Sequence, residues 1–441
     1  MHDARAASTD PATEPPPAAP AEAAGEALRV WKFGGTSVGD LDRMRKVAAR
    51  IARQVRQGER LVVTVSAMGR TTDRLLGMAR EVSERPDRRE LDALLATGES
   101  QSAALLCLAL QAEGVPARSL SGAQAGFRTD DMHGEARILE VVPERIRDAL
   151  RELPVVIIAG FQGATAAGDV ATLGRGGSDT TAVAVAAALG ADTCEIFTDT
   201  DGVYTTDPHL IPRATRLAEI DYDEMLELAS LGARVLHPRA VWYARRYGVT
   251  VHVRSSFTFQ PGTRVRALPR TEDRMKTDSP VTGVALDRAH ARVDLIGVPD
   301  VPGIAAKVFA ALGAARLNVD MIVQGVPGEG ASRQQMAFTV ADDRLDEALE
   351  AVAPVLEAVG GRAEGSHDVA KLSIVGIAIG STPGVAGTMF DAVAAAGANI
   401  EMIATSEVRI SVVLPAAQAD AALRSVHAAF GLEAETLADD R

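Results

Sequence analysis

The segment PGIAAKVFAALGAARLNVDMI at 302–322 returns as PGVAGTMFDAVAAAGANIEMI at 383–403, a constant offset of 81 with Pro, Gly, Phe, Asn, Met and Ile at matching positions. Each copy follows an apolar strand, RVDLIGV at 292–298 and KLSIVGI at 371–377, and precedes a strand pair and an amphipathic helix. The order reads βαββαβ twice, the split βαβ arrangement. Two copies are too few for a solenoid, so the modules are expected to pair with each other or with another subunit.

Upstream, short apolar runs alternate with helical stretches. The runs are 28–34, 60–66, 154–161, 194–199 and 249–255; the helical stretches include Leu41 to Gln57, Glu90 to Glu113 and Asp179 to Leu189. That alternation predicts an α/β domain with a mostly parallel sheet sandwiched by helices. The expected divisions are an Ala/Pro-rich tail at 1–27, the α/β domain at 28–262, a linker at 263–280 and the two modules at 281–365 and 366–441. The tail holds 10 Ala and 5 Pro and no apolar core flanked by basic residues, so it reads as disordered and not as a secretory signal. Lys and Arg total 46 against 59 Asp and Glu, a net charge of −13 with no basic block, which makes nucleic acid a poor partner. No apolar run approaches the roughly 18 residues that cross a bilayer. Cys107 and Cys194 stand far apart in apolar stretches, which argues against a disulfide framework or a Cys-ligated metal and fits a reducing cytoplasm.

The dinucleotide fingerprint, the Walker A loop and the protein-kinase signatures are missing from the chain. Three turns carry chemistry instead, each after a predicted strand, where open α/β sheets gather ligands. Lys32 precedes Gly34-Gly35, which lets a backbone approach an anion beside a cation. The loop Leu173 to Thr181 places Arg175 between glycines at the start of a helix, aiming free amides at an anion, with Ser178 or Asp179 as a cap. The third turn, Thr198 to Pro208, reads as a tight acidic turn, a metal loop or a nucleotide-edge site, with Tyr204 suited to stacking on a base or ribose. It lacks the donor spacing of an EF-hand, which disfavours calcium.

Taken in order, Lys32 to Val38, Gly98-Glu99, Gly174 to Thr181, Thr198-Asp199 through Tyr204, and Val235-Leu236-His237-Pro238 resemble the aspartate kinases of the amino acid kinase superfamily. The repeats resemble their C-terminal regulatory ACT domains, ferredoxin-like in fold, and the likeness spans about residues 28–435. It implies ATP-dependent phosphorylation of the aspartate side chain in lysine, threonine and methionine synthesis, with Mg²⁺ bridging the phosphates. Carried over by position, Lys32 and Asp179 are catalytic; Ser66, Thr72, Glu99, Arg175 and Ser178 hold aspartate; and Lys32, Gly34, Gly35, Thr198, Asp199, Tyr204, His209 and Arg234 hold the nucleotide. His209 stands where the family pattern has Arg, and Arg234 where it has Lys, which changes the cations on the nucleotide side.

Feedback control is expected through the repeats. Pro302-Gly303 and Pro383-Gly384 open the first helix of each copy, and Asn318 and Asn399 introduce the next strand. A turn with free amides takes a carboxylate, and a side-chain amide takes an ammonium. Asp300, Gly303, Ile304, Asn318, Asp320, Gln324 and Asn399 are the candidate contacts for lysine or threonine. The resemblance also implies a homo-oligomer, or a complex with a shorter regulatory subunit started at Met275. The competing readings are a kinase for another small amino acid such as glutamate, whose relatives lack tandem modules, and a non-catalytic amino acid sensor.

Overall fold

The computed structural model describes residues 28–232, 235–269, 280–325 and 333–434; the expected 1–27 tail, Arg234 and Met275 lie outside the described residues. The first domain is built on an eight-stranded sheet in the order Glu219–Ile220, Thr263–Val265, Thr250–Ser255, Thr193–Thr198, Leu28–Phe33, Arg60–Val65, Val155–Ala159, Ala117–Leu120. The last six of these run parallel, and the two at the 219–265 edge run against them. Both faces are covered, so the central strands are apolar at nearly every position instead of alternating. Val30, Val62, Ile158 and Ile196 face the helices Gly177–Leu189 and Pro238–Tyr247, while Trp31, Phe33, Val63 and Phe197 face Leu41–Val55 and Thr97–Ala112. The three-residue strand Thr263–Val265 places part of the expected linker inside this sheet.

The helix expected over Glu90 to Glu113 is two helices, Arg88–Leu95 and Thr97–Ala112, meeting at Ala96. Together they make the one stretch among the described residues, Arg88–Ala112, that is long and apolar enough to cross a membrane by length and composition alone. It packs as core against Leu41–Val55 and Ala117–Leu120, and it buries two carboxylates, Asp92 and Glu99. A second, four-stranded sheet, Ile138–Val141, Phe127–Thr129, Gln162–Ala164 and Val170–Thr172, stands beside the main one.

The two repeats fold as predicted in kind but not in strand order. The first is complete: His290–Pro299, Ile304–Ala314, Ile322–Gln324, Arg333–Ala341, Leu345–Glu357 and Arg362–Ser366 form one βαββαβ unit. The second, Val369–Val375 to Ala419–Ala429, shows no strand after its last helix among the described residues; Gly283–Asp287 takes that edge, pairing antiparallel from Gly283 with Val375 to Asp287 with Lys371. The expected division at 365 and 366 therefore does not follow the strand pairing, because a strand from before the first module completes the second. A bare edge strand is a liability, and the swapped strand covers it.

The modules pair with each other along the repeat's own symmetry. Met321 and Met402, equivalent positions in the two copies, are buried in one cluster with Val369 and Val413. The acids just before them cross over reciprocally: Asp320 of the first module pairs with Lys371 of the second, and Glu401 of the second with Arg292 of the first. The second module joins the first domain through shared core, since Ala285 and Val375 pack with Met225 and Leu228.

Truncating either methionine removes buried contacts from the same cluster. Met321→Ala and Met402→Ala should each destabilise the modules by about 2–4 kcal/mol, and the double variant should lose less than the sum because the two share a cavity. Denaturant unfolding of the full chain with all three variants checks this, and strict additivity would separate the two side chains.

Candidate functional site

Alternation along the first strand decides where Lys32 points. Val30 faces the helix Gly177–Leu189, so Lys32, two residues on, faces it as well. Its Nζ stands 2.5 Å from Asp179 Oδ1 in the first turn of that helix, and both residues are buried. A desolvated ammonium without a counter-charge would cost several kcal/mol, so strand and helix are held in register by this pair.

The helix begins at Gly177, two residues earlier than expected, and its N-cap is Gly176 in the left-handed region (φ 67°) with no side-chain cap. Ser178 and Asp179 therefore lie inside the first turn and do not cap it. A Cβ at Gly176 would lie 2.1 Å from the His237 side chain, and one at Gly160 2.9 Å from Ser178 and Thr64, so glycines bring these loops into contact. Uncapped amides, a positive helix end and a buried ammonium converge at the carboxyl edge of the sheet, an anion site by construction.

Around this centre the turns are locked by backbone. Gly34 N–H donates to Phe197 O at 3.2 Å, and Gly69 N–H donates to Gly35 O at 3.0 Å. A Cβ at Gly35 would press on Ala67 O at 2.8 Å. Ala67 N–H in turn donates to Glu99 Oε1 at 3.1 Å, while Glu99 Oε2 is buried without a partner. Burial pushes the Glu99 carboxyl up to about 7, against the opposing pull of the Ala67 amide. Ser66 and Thr72, half-buried, flank the same turn, Ser66 N–H donating to Phe33 O at 3.2 Å.

Arg175 is exposed on its loop and has no acidic partner among the described residues. His237, not singled out as a site residue from the sequence, caps the helix Pro238–Tyr247 by accepting from Arg239 N–H. Burial lowers its pKa, with Asp179 pulling the other way, so its ring stays neutral beside the glycine loop. The packing between Gly176 and its ring joins distant segments and has no local signal. Asp92, also missed, accepts from His133 Nδ1, Gly134 N–H, Thr172 N–H and the Thr172 hydroxyl, tying the second sheet to the helix Arg88–Leu95. A lone Asp on the buried face of a helix was its signal in the sequence.

On the other side, Thr198 Oγ1 donates to Asp199 at 3.0 Å at the end of the strand Thr193–Thr198. The Tyr204 hydroxyl donates to Asp201 at 2.7 Å, and burial with that bond pushes its pKa up to about 12. His209 is exposed, its N–H on the Asp207 carboxylate at 2.8 Å. The candidate effector contacts sit apart, on the modules. Gly303 and Gly384 are left-handed N-caps (φ 91° and 89°) without side-chain caps, and Ile304 starts the helix behind Gly303. Asp300 and Asn318 are exposed, Gln324 donates to Gln334 Oε1 at 2.9 Å, and Asn399 N–H donates to Gln418 Oε1 at 3.3 Å. Both Asn residues precede their strands by several residues instead of starting them. Asp320 does not stand free beside Asn318: it is spent on Lys371, whose ammonium holds its carboxyl low although burial opposes this.

Residues 27–255 match the amino acid kinase family, and 295–357 and 372–430 each match the ACT domain. The chain is 62% identical to an aspartokinase of Thermus thermophilus, covering 92% of this chain and 99% of the relative, and 48% identical to one of Mycolicibacterium smegmatis, covering 92% and 96%. Among solved structures it is similar to E. coli aspartokinase III in complex with aspartate and ADP, with a TM-score of 0.74 and 25% identity over 92% of this chain and 100% of that one. The same E. coli enzyme in complex with lysine and aspartate gives 0.71 and 26%, with the same coverage.

Glu99 makes a prediction independent of any ligand. Its folded pKa is raised, so the folded state keeps a proton that the unfolded state gives up above its ordinary value near 4.5; stability falls as pH rises from there to about 7 and is level above. Glu99→Gln removes that slope, so the variant should gain on wild type by on the order of 2–3 kcal/mol between pH 5 and 7.5. Urea unfolding at the two pH values measures it; parallel stabilities would mean an ordinary carboxyl.

Proposed function

The chain belongs to the aspartokinase family and is a kinase, and from that premise we propose that it transfers the γ-phosphoryl group of ATP to the side-chain carboxylate of L-aspartate, giving 4-phospho-L-aspartate. The observation that carries this reading is the buried Lys32–Asp179 pair at an uncapped helix start, with the unpartnered Glu99 oxygen on the side chain that holds the Ala67 turn against Gly35. A cation and free amides suit a phosphoryl group in flight, and a buried carboxylate suits an amino acid's ammonium.

A carboxylate is already a nucleophile, so the reaction needs charge and alignment and no general base. One carboxylate oxygen of aspartate attacks the γ-phosphorus, the bond to the bridging oxygen breaks, and ADP leaves with that electron pair. Lys32 neutralises the charge that spreads over the transferred group, and Asp179 holds the ammonium in place between turnovers. The glycines 34 and 35 and the first amides of Gly177–Leu189 cradle phosphate oxygens. Arg175, unpaired on its loop, grips the aspartate α-carboxylate with a two-pronged donor, while Glu99 takes the ammonium and Ser66, Thr72 and Ser178 supply hydroxyls. Thr198, Asp199, Tyr204 and His209 form the nucleotide side.

The described residues hold no group of three or more His, Cys, Asp or Glu that would grip a metal ion. That donor set fits a Mg²⁺ carried on the nucleotide's own phosphates, with Asp179 or Asp199 as the available carboxylates and charge neutralisation as its contribution. The uncapped turns at Gly303 and Gly384 support control by an amino acid effector, lysine or threonine, the product class of the pathway that 4-phospho-aspartate feeds.

Incubation with ATP, aspartate and hydroxylamine should yield aspartyl hydroxamate; product from glutamate instead would move the enzyme to another acceptor. Lys32→Ala should cut turnover by about 10²-fold or more in a folded protein. Arg175→Lys should raise the aspartate KM more than the ATP KM, since a point charge replaces a fork. In the modules, Asn318→Ala should weaken inhibition by lysine, threonine or their mixture at little cost to unstimulated turnover; a wild-type enzyme indifferent to millimolar levels of both would leave the modules as assembly elements.

A further inference from the structure

The Thr198–Asp207 loop is held from behind by the second module. Thr205 and His427 are both buried, His427 completely, and Thr205 Oγ1 meets His427 Nε2 at 2.9 Å across 222 residues of sequence. The same hydroxyl lies 3.1 Å from Leu432 O and 3.0 Å from Thr215 N. His427 Nδ1 is buried without a partner. An orphan acceptor nitrogen is tolerated more readily than an orphan N–H, which assigns the proton to Nε2. On that tautomer the hydroxyl is saturated: it accepts from His427 Nε2–H and Thr215 N–H and donates to Leu432 O. Burial favours the neutral ring this requires, against the pull of Glu433. Thr205 is fastened on its backbone as well, its carbonyl accepting from Val284 N–H at 2.7 Å in the strand that completes the second module. Its sequence neighbour Tyr204 carries the bond to Asp201.

We propose that His427 is a positioning residue for nucleotide binding, reaching from the second regulatory module to hold the Thr198–Asp207 loop through the Thr205 hydroxyl. The proposal rests on the assignment of that loop to the nucleotide. It gives the module a part in the catalytic site that requires no effector: helix Ala419–Ala429 contributes a fixed point, and Tyr204 and Asp201 are set by it. A module that shifts on its strand partners carries that fixed point with it.

The test compares His427→Leu, Thr205→Val, the double variant and His427→Gln with wild type in the full chain. Titration with MgADP and the KM values for ATP and aspartate are the readouts. Losing the one hydrogen bond at the anchor should weaken MgADP binding and raise the ATP KM by about five- to tenfold in His427→Leu, and by at least as much in Thr205→Val, which also loses the contacts to Thr215 N and Leu432 O, with the aspartate KM unchanged in both. The double variant should be no worse than Thr205→Val alone, because that change already removes the bond that His427→Leu removes. His427→Gln, whose amide N–H replaces the imidazole donor, should recover most of the loss. Variants that fold and bind MgADP as wild type does, or that raise both KM values equally, would overturn the proposal alone. Wild-type protein that turns over but whose MgADP affinity is also untouched by Asp199→Ala and Tyr204→Ala would overturn the loop assignment and the proposal with it.

Discussion

A buried ammonium facing a buried carboxylate organises the catalytic half of this molecule. Lys32 sits on the central strand and Asp179 on the first turn of the helix above it, so their 2.5 Å contact joins the two layers where the sheet's order changes direction. The cost of leaving either charge alone in that setting far exceeds what the pair contributes to stability. In the proposed reaction the phosphate oxygens share the lysine, and the nearby amides donate to them. Small residues make the closeness possible, since Gly160, Gly176 and Gly177 lie where a Cβ would collide with Ser178, His237 and Leu173.

The regulatory half is bound to this centre by polar contacts that each span two units. Arg409 of the second module reaches Glu227 on the helix Tyr222–Ser230 at 3.3 Å and Asp320 of the first module at 4.0 Å. Asp320 lies two residues beyond Asn318, so the loop proposed for the effector is already engaged in the contact between modules. Effector binding that repositions this loop acts on charges shared with the catalytic domain. Coupling of that kind is a difference in contact energy between two arrangements, of the size that typically yields 1–3 kcal/mol.

Much was legible in the residues. The apolar runs located the five main parallel strands to within one or two residues, because strands covered on both faces are apolar throughout. The repeat announced two modules, since equivalent residues such as Met321 and Met402 occupy equivalent places. Glycine turns beside Lys32 and Arg175 marked the candidate anion loops, because Gly174 and Gly176 take positive φ and a Cβ at Gly35 would press on Ala67 O.

What escaped reading depends on contacts between segments far apart in sequence. The Gly283–Asp287 strand looks like the start of the first module and pairs with the second, because register is settled by which edge lacks a partner and not by proximity along the chain. Asp320, legible as a polar residue near Asn318, is spent on Lys371, and His427, a lone histidine in an Ala-rich helix, meets Thr205. The sequence by itself determined element types, the repeat and the chemistry of the loops, which follow from local periodicity and backbone freedom. The tertiary structure alone decided strand exchange, the partners of buried charges and the fixed points of the Thr198–Asp207 loop, since those are set by desolvation and geometry that exist only once the chain has closed on itself.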